Sequence, residues 1–315
     1  MKNKNPHKID IENIDPIYRA FARLPRLTEP PPQPDKESVS RLAIIPIFLD
    51  HYVRMENLPA IVQSAIYSRA SCLKNTDAVA NGINVKLYIQ DNIGNRLAAQ
   101  LIRNGVDPDE DAIYFDSTIH RSWNYLGKKT YCYYDPQLAD YEQVIGWDAD
   151  IFFPPQANNS HLFETFAQMP EFIHYAKTSV MTPDWKEYLY RHFRPSGLSV
   201  DEILHQAKVK IPTYPIKNPS GSLWVIPSKS AHKHHSEMLA WIKAASPLLG
   251  CDEVTLAFAS HHFKWELRSI ESDYGIGIQS IGAYWSNPSL KMGYIHMFVP
   301  HGEDERCIKY MQEIT

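Results

Sequence analysis

Apolar positions along the chain alternate between two spacings. Residues 41–49 (RLAIIPIFL) form a near-continuous apolar, β-branched run of the kind that fills a strand buried on both faces. From Leu58 onward, Leu58, Ile61, Val62, Ala65, Ile66, Ala70 and Leu73 follow three-four spacing, which predicts a helix packed back onto that strand. The alternation then repeats. Residues 85–90 (VKLYIQ) read as a second strand ending at Asp91-Asn92, with Gly94 ahead of a helix over 96–102. Residues 112–115 read as a short third strand, 122–134 as a long helical stretch, and 143–153 as one continuous fourth strand.

The regular alternation weakens after that. Residues 156–215 read as helical and locally independent, with Thr182-Pro183 as an N-cap followed by a first-turn proline and Ser199-x-x-Glu202 as a capping box. A strand resumes at 222–227 (SLWVIP), followed by a helix over 231–244 and an acidic-led helix from Asp252. Short apolar runs at 277–284 and 294–299 are expected to close the sheet. Ahead of all this, residues 1–40 end in Thr28-Glu29-Pro30-Pro31-Pro32-Gln33-Pro34, poor in amide donors and polyproline-biased, which reads as an arm before the core. The expected organisation is an arm over 1–40, a ligand-binding half over 41–155, a helical insertion over 156–217 and the rest of the core over 218–315. Strand–helix alternation of this kind argues for an α/β fold with a mostly parallel sheet, where ligands bind at the carboxyl ends of strands. Neither Gly-x-Gly-x-x-Gly nor Gly-Lys-Ser/Thr follows the first strand, so a dinucleotide fold or a P-loop lacks sequence support.

Composition narrows the ligand classes. The 315 residues suit one large α/β domain or a core with an elaborated subdomain, and 44% apolar with 22% charged residues excludes global disorder. Lys plus Arg number 32 against 36 Asp plus Glu, a net charge of -4, which argues against a surface that tracks nucleic acid and requires any anionic ligand to be held locally. No apolar run approaches the roughly 20 residues of a membrane span. Residues 1–10 carry charges and no secretory apolar stretch, so a cytoplasmic, reducing setting is expected. Cys72, Cys132, Cys251 and Cys307 include no close pair and read as buried, reduced thiols. His232-Lys233-His234-His235 and His261-His262 lack the spacing of zinc peptidases and read as surface or second-wall residues.

The segment richest in chemistry is Val144-Ile145-Gly146-Trp147-Asp148-Ala149-Asp150-Ile151-Phe152-Phe153, two carboxylates inside an apolar run. Buried unpaired carboxylates cost several kcal/mol and so require donors or a cation. In extended backbone, residues two apart face one side, which lets Asp148 and Asp150 converge on a hard ion such as Mn²⁺ or Mg²⁺. The alternative is a strand end whose aspartates cap the amides of a turn.

With these residues the chain resembles the nucleotide-sugar glycosyltransferases of the GT-A fold, nearest to the glycogenin and galactosyltransferase-like groups, over 41–155 and more loosely 218–302. The resemblance implies a mostly parallel sheet flanked by helices and a strand-end Asp-x-Asp that binds the metal holding the donor diphosphate. It implies a donor site at Pro46, Ile47, Phe48, Asp91, Trp147 and Asp148, with Arg96 and Lys128 reaching phosphate or sugar and Gly221 lying against the donor sugar. A third metal ligand is implied near the end of the core, where His301 is the preferred match and His296 its competitor. Asp252 and Glu253 match the acidic helix start that faces the acceptor. The implied activity is metal-dependent transfer from a nucleotide sugar, a UDP-sugar first, to a glycan or other hydroxyl acceptor. A metal-dependent nucleotidyltransferase or phosphohydrolase, or a non-catalytic glycan-binding protein, are the alternatives.

Overall fold

The apolar run of the first expected strand lies at the centre of a seven-stranded sheet. In this computed structural model the described residues are 11–35, 40–49, 54–116, 135–155, 157–169, 173–176, 178–181, 216–227, 252–287 and 293–315, with the single positions 129, 132, 171, 202, 205, 238 and 240. The strands are β1 (Arg41–Ile47), β2 (Asn84–Gln90), β3 (Ala112–Phe115), β4 (Gln143–Trp147), β5 (Ile151–Phe152), β6 (Ile173–Tyr175), β7 (Thr178–Met181), β8 (Ile216–Pro219), β9 (Leu223–Pro227), β10 (Leu267–Ser269), β11 (Ile278–Ser280) and β12 (Tyr294–His296). The helices are α1 (Arg19–Ala22), α2 (Leu58–Asn75), α3 (Asp91–Arg103), α4 (Leu162–Ala167), α5 (Asp252–Phe263), α6 (Ile270–Tyr274), α7 (Ile281–Ser286) and α8 (Asp304–Ile314).

The central sheet runs β10-β6-β9-β4-β1-β2-β3, and every neighbouring pair is parallel except those that β9 makes with β4 and β6. The expected α/β architecture, a mostly parallel sheet flanked by helices, is therefore present. Six of the seven residues of β1 are buried, as a strand covered on both faces requires. Helix α2 is buried from Leu58 to Leu73 on nearly all sides, because it lies between two cores. One contains the inward residues of the sheet; the other gathers Ile14, Phe21 and Leu24 with Phe152, Ile295, Met297 and the inner face of α8. Among the described residues no helix is long and apolar enough to cross a membrane.

Four expectations change. Residues 143–153 are two strands: β4 ends at Trp147, and β5 pairs antiparallel with β12 in a separate sheet, ordered β11-β12-β5. The runs at 277–284 and 294–299 accordingly build that second sheet instead of closing the first, and 281–286 turn into α7 behind a Ser280 cap on the amide of Ala283. The span 156–215 is not wholly helical, since β6 joins the central sheet and β7 pairs with β8; Thr182-Pro183 and Ser199 lie outside the described residues, as do most of 122–134 and 231–244. The segment before β1 is packed against the fold through its own apolar residues, which the proline content concealed.

Candidate active site at the switch point of the sheet

The chain leaves β1 toward β2 and β3 on one side and returns to place β4 on the other. In an open parallel sheet that reversal leaves a crevice at the carboxyl ends of the two diverging strands. The β1–β4 ladder stops at Ile44–Gly146, whereas the β1–β2 ladder continues to Ile47–Ile89. Pro46, which has no amide to donate, thus falls where β1 has already left β4. A cavity of about 290 Å³ opens there. It is lined by Pro46, Ile47 and Phe48 at the end of β1, by Ile61 and Ser64 of α2, and by the charged group Asp148, Asp150, Lys129 and His296 with Ala149. Tyr18 and Phe21 complete the wall.

The two aspartates sit on a turn, not on an extended strand. The Ile151 amide donates to the Asp148 carbonyl at 3.0 Å, closing the turn, and the Asp148 amide donates to the Ser222 carbonyl at 3.1 Å. Helix α2 holds the following backbone with a polar stripe: the Ser64 hydroxyl donates to the Ala149 carbonyl at 2.8 Å, the Ser68 hydroxyl to the Ile151 carbonyl, and Asn75 to the Phe153 carbonyl at 2.9 Å. Ser71 accepts from the Phe153 amide at 3.1 Å. On the other side the Met297 amide donates to the Asp150 carbonyl at 2.8 Å, which ties the turn to the end of β12.

Each carboxylate faces a cation of the chain. The ammonium of buried Lys129 lies 2.8 Å from one Asp148 oxygen and 3.1 Å from the other. His296 Nε2 lies 3.0 Å from Asp150 Oδ2, because β12 pairs with β5 in the register His296–Ile151. Burial opposes the His296 imidazolium, but the Asp150 carboxylate, through charge and hydrogen bond, and then Asp148 push it up to about 9. Burial likewise opposes the Asp150 charge, yet the charge and hydrogen bond of His296, a backbone hydrogen bond and Lys129 together hold the carboxyl below its usual range. Two carboxylates and an imidazole are the donor types that a hard divalent ion takes. Among the described residues no three such groups converge on one point, so holding an ion here means exchanging Lys129 and the imidazolium proton for it.

No protein-family model matches the chain, and no curated protein matches it in sequence. Among solved structures it is similar to mouse xyloside xylosyltransferase 1 in its apo form, at 12% identity over 82% of this chain and 96% of that one, TM-score 0.44. It is also similar to the galactosyltransferase LgtC in complex with donor and acceptor sugar analogues, at 10% identity over 87% and 95%, TM-score 0.41. A third, the inositol-1-phosphate CTP transferase from T. maritima, shares 12% identity over 88% and 97%, TM-score 0.44.

The structure brings Pro46, Ile47, Phe48, Asp148 and Asp150 into one cavity. His296, not His301, reaches Asp150; His301 is exposed in a turn five residues beyond the paired end of β12. Trp147 does not line the cavity: its ring is fully buried, donates to the Ser68 hydroxyl at 3.0 Å and meets Phe153 edge-on. Asp91 is an exposed first residue of α3, and its neighbour Gln90 joins the end of β2 to the segment after β1, accepting from the Leu49 amide at 3.1 Å. Arg96 is exposed on α3 with its guanidinium 3.6 Å from the Met55 sulfur. Lys128 lies outside the described residues, as does the side chain of Asp252. Gly221 is buried and its amide donates to the Glu253 carboxylate at 3.2 Å, so Glu253 braces the turn next to Ser222. Sequence reasoning missed Lys129, Tyr18, Phe21 and Ser64. The four-three-four spacing of Ser64, Ser68, Ser71 and Asn75 was the one legible signal among these groups.

Proposed function

We propose that the protein is a metal-dependent glycosyltransferase that moves a sugar from a nucleotide-diphosphate sugar, a UDP-sugar first, to a glycan or other hydroxyl acceptor. The observation that carries this reading is that the Asp148-Ala149-Asp150 turn and the apolar terminus of β1 line one cavity at the switch point of the sheet. A ligand suited to that cavity has a flat apolar part and an anionic part. Pro46, Ile47 and Phe48 suit the first, and the Lys129 ammonium suits the second. Asp148 and Asp150, with His296 beside them, would hold the divalent ion. A bound ion of this kind supplies the positive charge that offsets the departing diphosphate. An inverting reaction requires a general base on the acceptor hydroxyl; Asp252 and Glu253 are the candidates, and Glu253 would have to release the Gly221 amide to serve. The described cysteines, Cys72, Cys132 and Cys307, are buried, in keeping with a reducing cytoplasmic setting.

The test is thermal unfolding with a panel of UDP- and GDP-sugars, with and without Mn²⁺. A donor at a hundred times its dissociation constant should add about 2.7 kcal/mol with Mn²⁺ present, and Asp150→Ala should abolish the metal-dependent part. Product analysis then separates sugar found on an acceptor from phosphate or pyrophosphate released by phosphohydrolase or nucleotidyltransferase chemistry. The reading fails if no nucleotide sugar stabilises the protein with Mn²⁺, or if Asp150→Ala behaves like the wild type.

A further inference from the structure

We infer that the segment preceding the sheet is a fixed wall of the ligand cavity, and that Tyr18, with Phe21 completing that wall, is the face on which the planar base of the nucleotide packs. The inference deepens the proposed function and rests on its reading of the cavity as a nucleotide-diphosphate site. The lining is of two chemical kinds: Tyr18, Phe21, Pro46, Phe48 and Ile61 are aromatic or apolar, while Lys129, the two aspartates and His296 are charged. A diphosphate drawn to the charged part leaves its nucleoside among the aromatic side chains, and an aromatic ring offers a base a sequence-tolerant stacking face.

Tyr18 is also held in place. Ahead of it, the Asp15 amide donates to the Asn57 side chain at 2.9 Å, Asn57 returns a bond to the Asp15 carboxylate at 2.6 Å, and Arg54 pairs with the same carboxylate. Behind it, Arg23 pairs with Glu305 and lies 3.9 Å from Asp304 at the start of α8, and the Pro25 carbonyl accepts from Gln63 of α2 at 2.9 Å. Between these anchors Phe21 is 3% exposed in the second core, so the turn carrying Tyr18 cannot swing away without opening that core. Tyr18 itself is half-buried, which makes it replaceable without a large packing loss.

The experiment measures dissociation constants for UDP and for inorganic pyrophosphate, each with Mg²⁺, by calorimetry on wild type, Tyr18→Leu and Tyr18→Phe. Tyr18→Leu keeps bulk and removes the aromatic face. It should weaken UDP about ten- to hundredfold, the loss of one base–aromatic stack, leave pyrophosphate unchanged and keep the wild-type unfolding temperature. Tyr18→Phe should restore UDP affinity to within a few fold. Wild-type UDP affinity in Tyr18→Leu, or equal losses for UDP and pyrophosphate, overturns the inference while leaving the proposed function intact. A wild-type protein that binds neither probe overturns both.

Discussion

At the scale of single residues, the site is a balance of two carboxylates against two cations. Asp148 and Asp150 keep 29% and 33% of their side-chain surface exposed, so neither pair is fully desolvated and neither carries the full cost of a buried ion pair. Lys129, by contrast, is 5% exposed, and its ammonium pairs with Asp148 at 2.8 Å. Lys129→Met should therefore lower stability by about 1–2 kcal/mol, below the 3–5 kcal/mol of a broken fully buried pair because Asp148 can rehydrate. Mn²⁺ should recover much of that loss. Urea unfolding with and without Mn²⁺ checks both parts; a variant as stable as wild type and indifferent to Mn²⁺ would contradict the balance. Which cation meets which aspartate was not legible from the sequence. The residue that finds Asp150, 146 positions away in the chain, is set by the pairing of β12 with β5, and nothing near His296 or His301 in the chain distinguishes them.

At the scale of elements, β1, β2 and β3 are where their apolar runs say, and α2 starts at the residue where its periodicity starts, since each was specified by a local pattern strong enough to survive packing. The run at 143–153 was misread because a continuous apolar string records burial, not partner. The carboxylates interrupt it: the chain turns at Asp148–Asp150 and passes Ile151 and Phe153 to one core and Phe152 to the other. The convergence of the aspartates on one cavity thus comes from a turn held by serines, not from strand alternation. Ser68 is the centre of that arrangement, accepting from Trp147 and donating to the Ile151 carbonyl. Ser68→Ala leaves both groups buried and unpaired, which should cost about 1–3 kcal/mol. Its urea midpoint should fall accordingly, and metal-dependent UDP stabilisation should fall with it, because the turn loses its brace; an unchanged midpoint would show that the helix stripe does not hold the turn.

At the scale of the whole molecule, the cavity lies between two cores that share α2, and the second joins the start of the chain to its last helix. Met311 on α8 is fully buried there with Phe21, which lines the cavity, and with Phe152, which follows the aspartate turn. Leu101 on α3 is equally buried in the first core and does not line the cavity. Both truncations to alanine should cost about 2–4 kcal/mol from lost transfer energy and the void left behind. Their effects on ligand should differ. Met311→Ala loosens the packing that fixes the Tyr18–Phe21 wall and the back of the turn, so UDP affinity should drop severalfold below the midpoint of unfolding, while Leu101→Ala should bind UDP as the wild type does. Calorimetric titration of both variants at a temperature where each is more than nine-tenths folded makes the comparison. Equal affinities in the two would mean that the second core stabilises the protein without shaping the cavity, because the destabilisation is matched and location is the variable that differs.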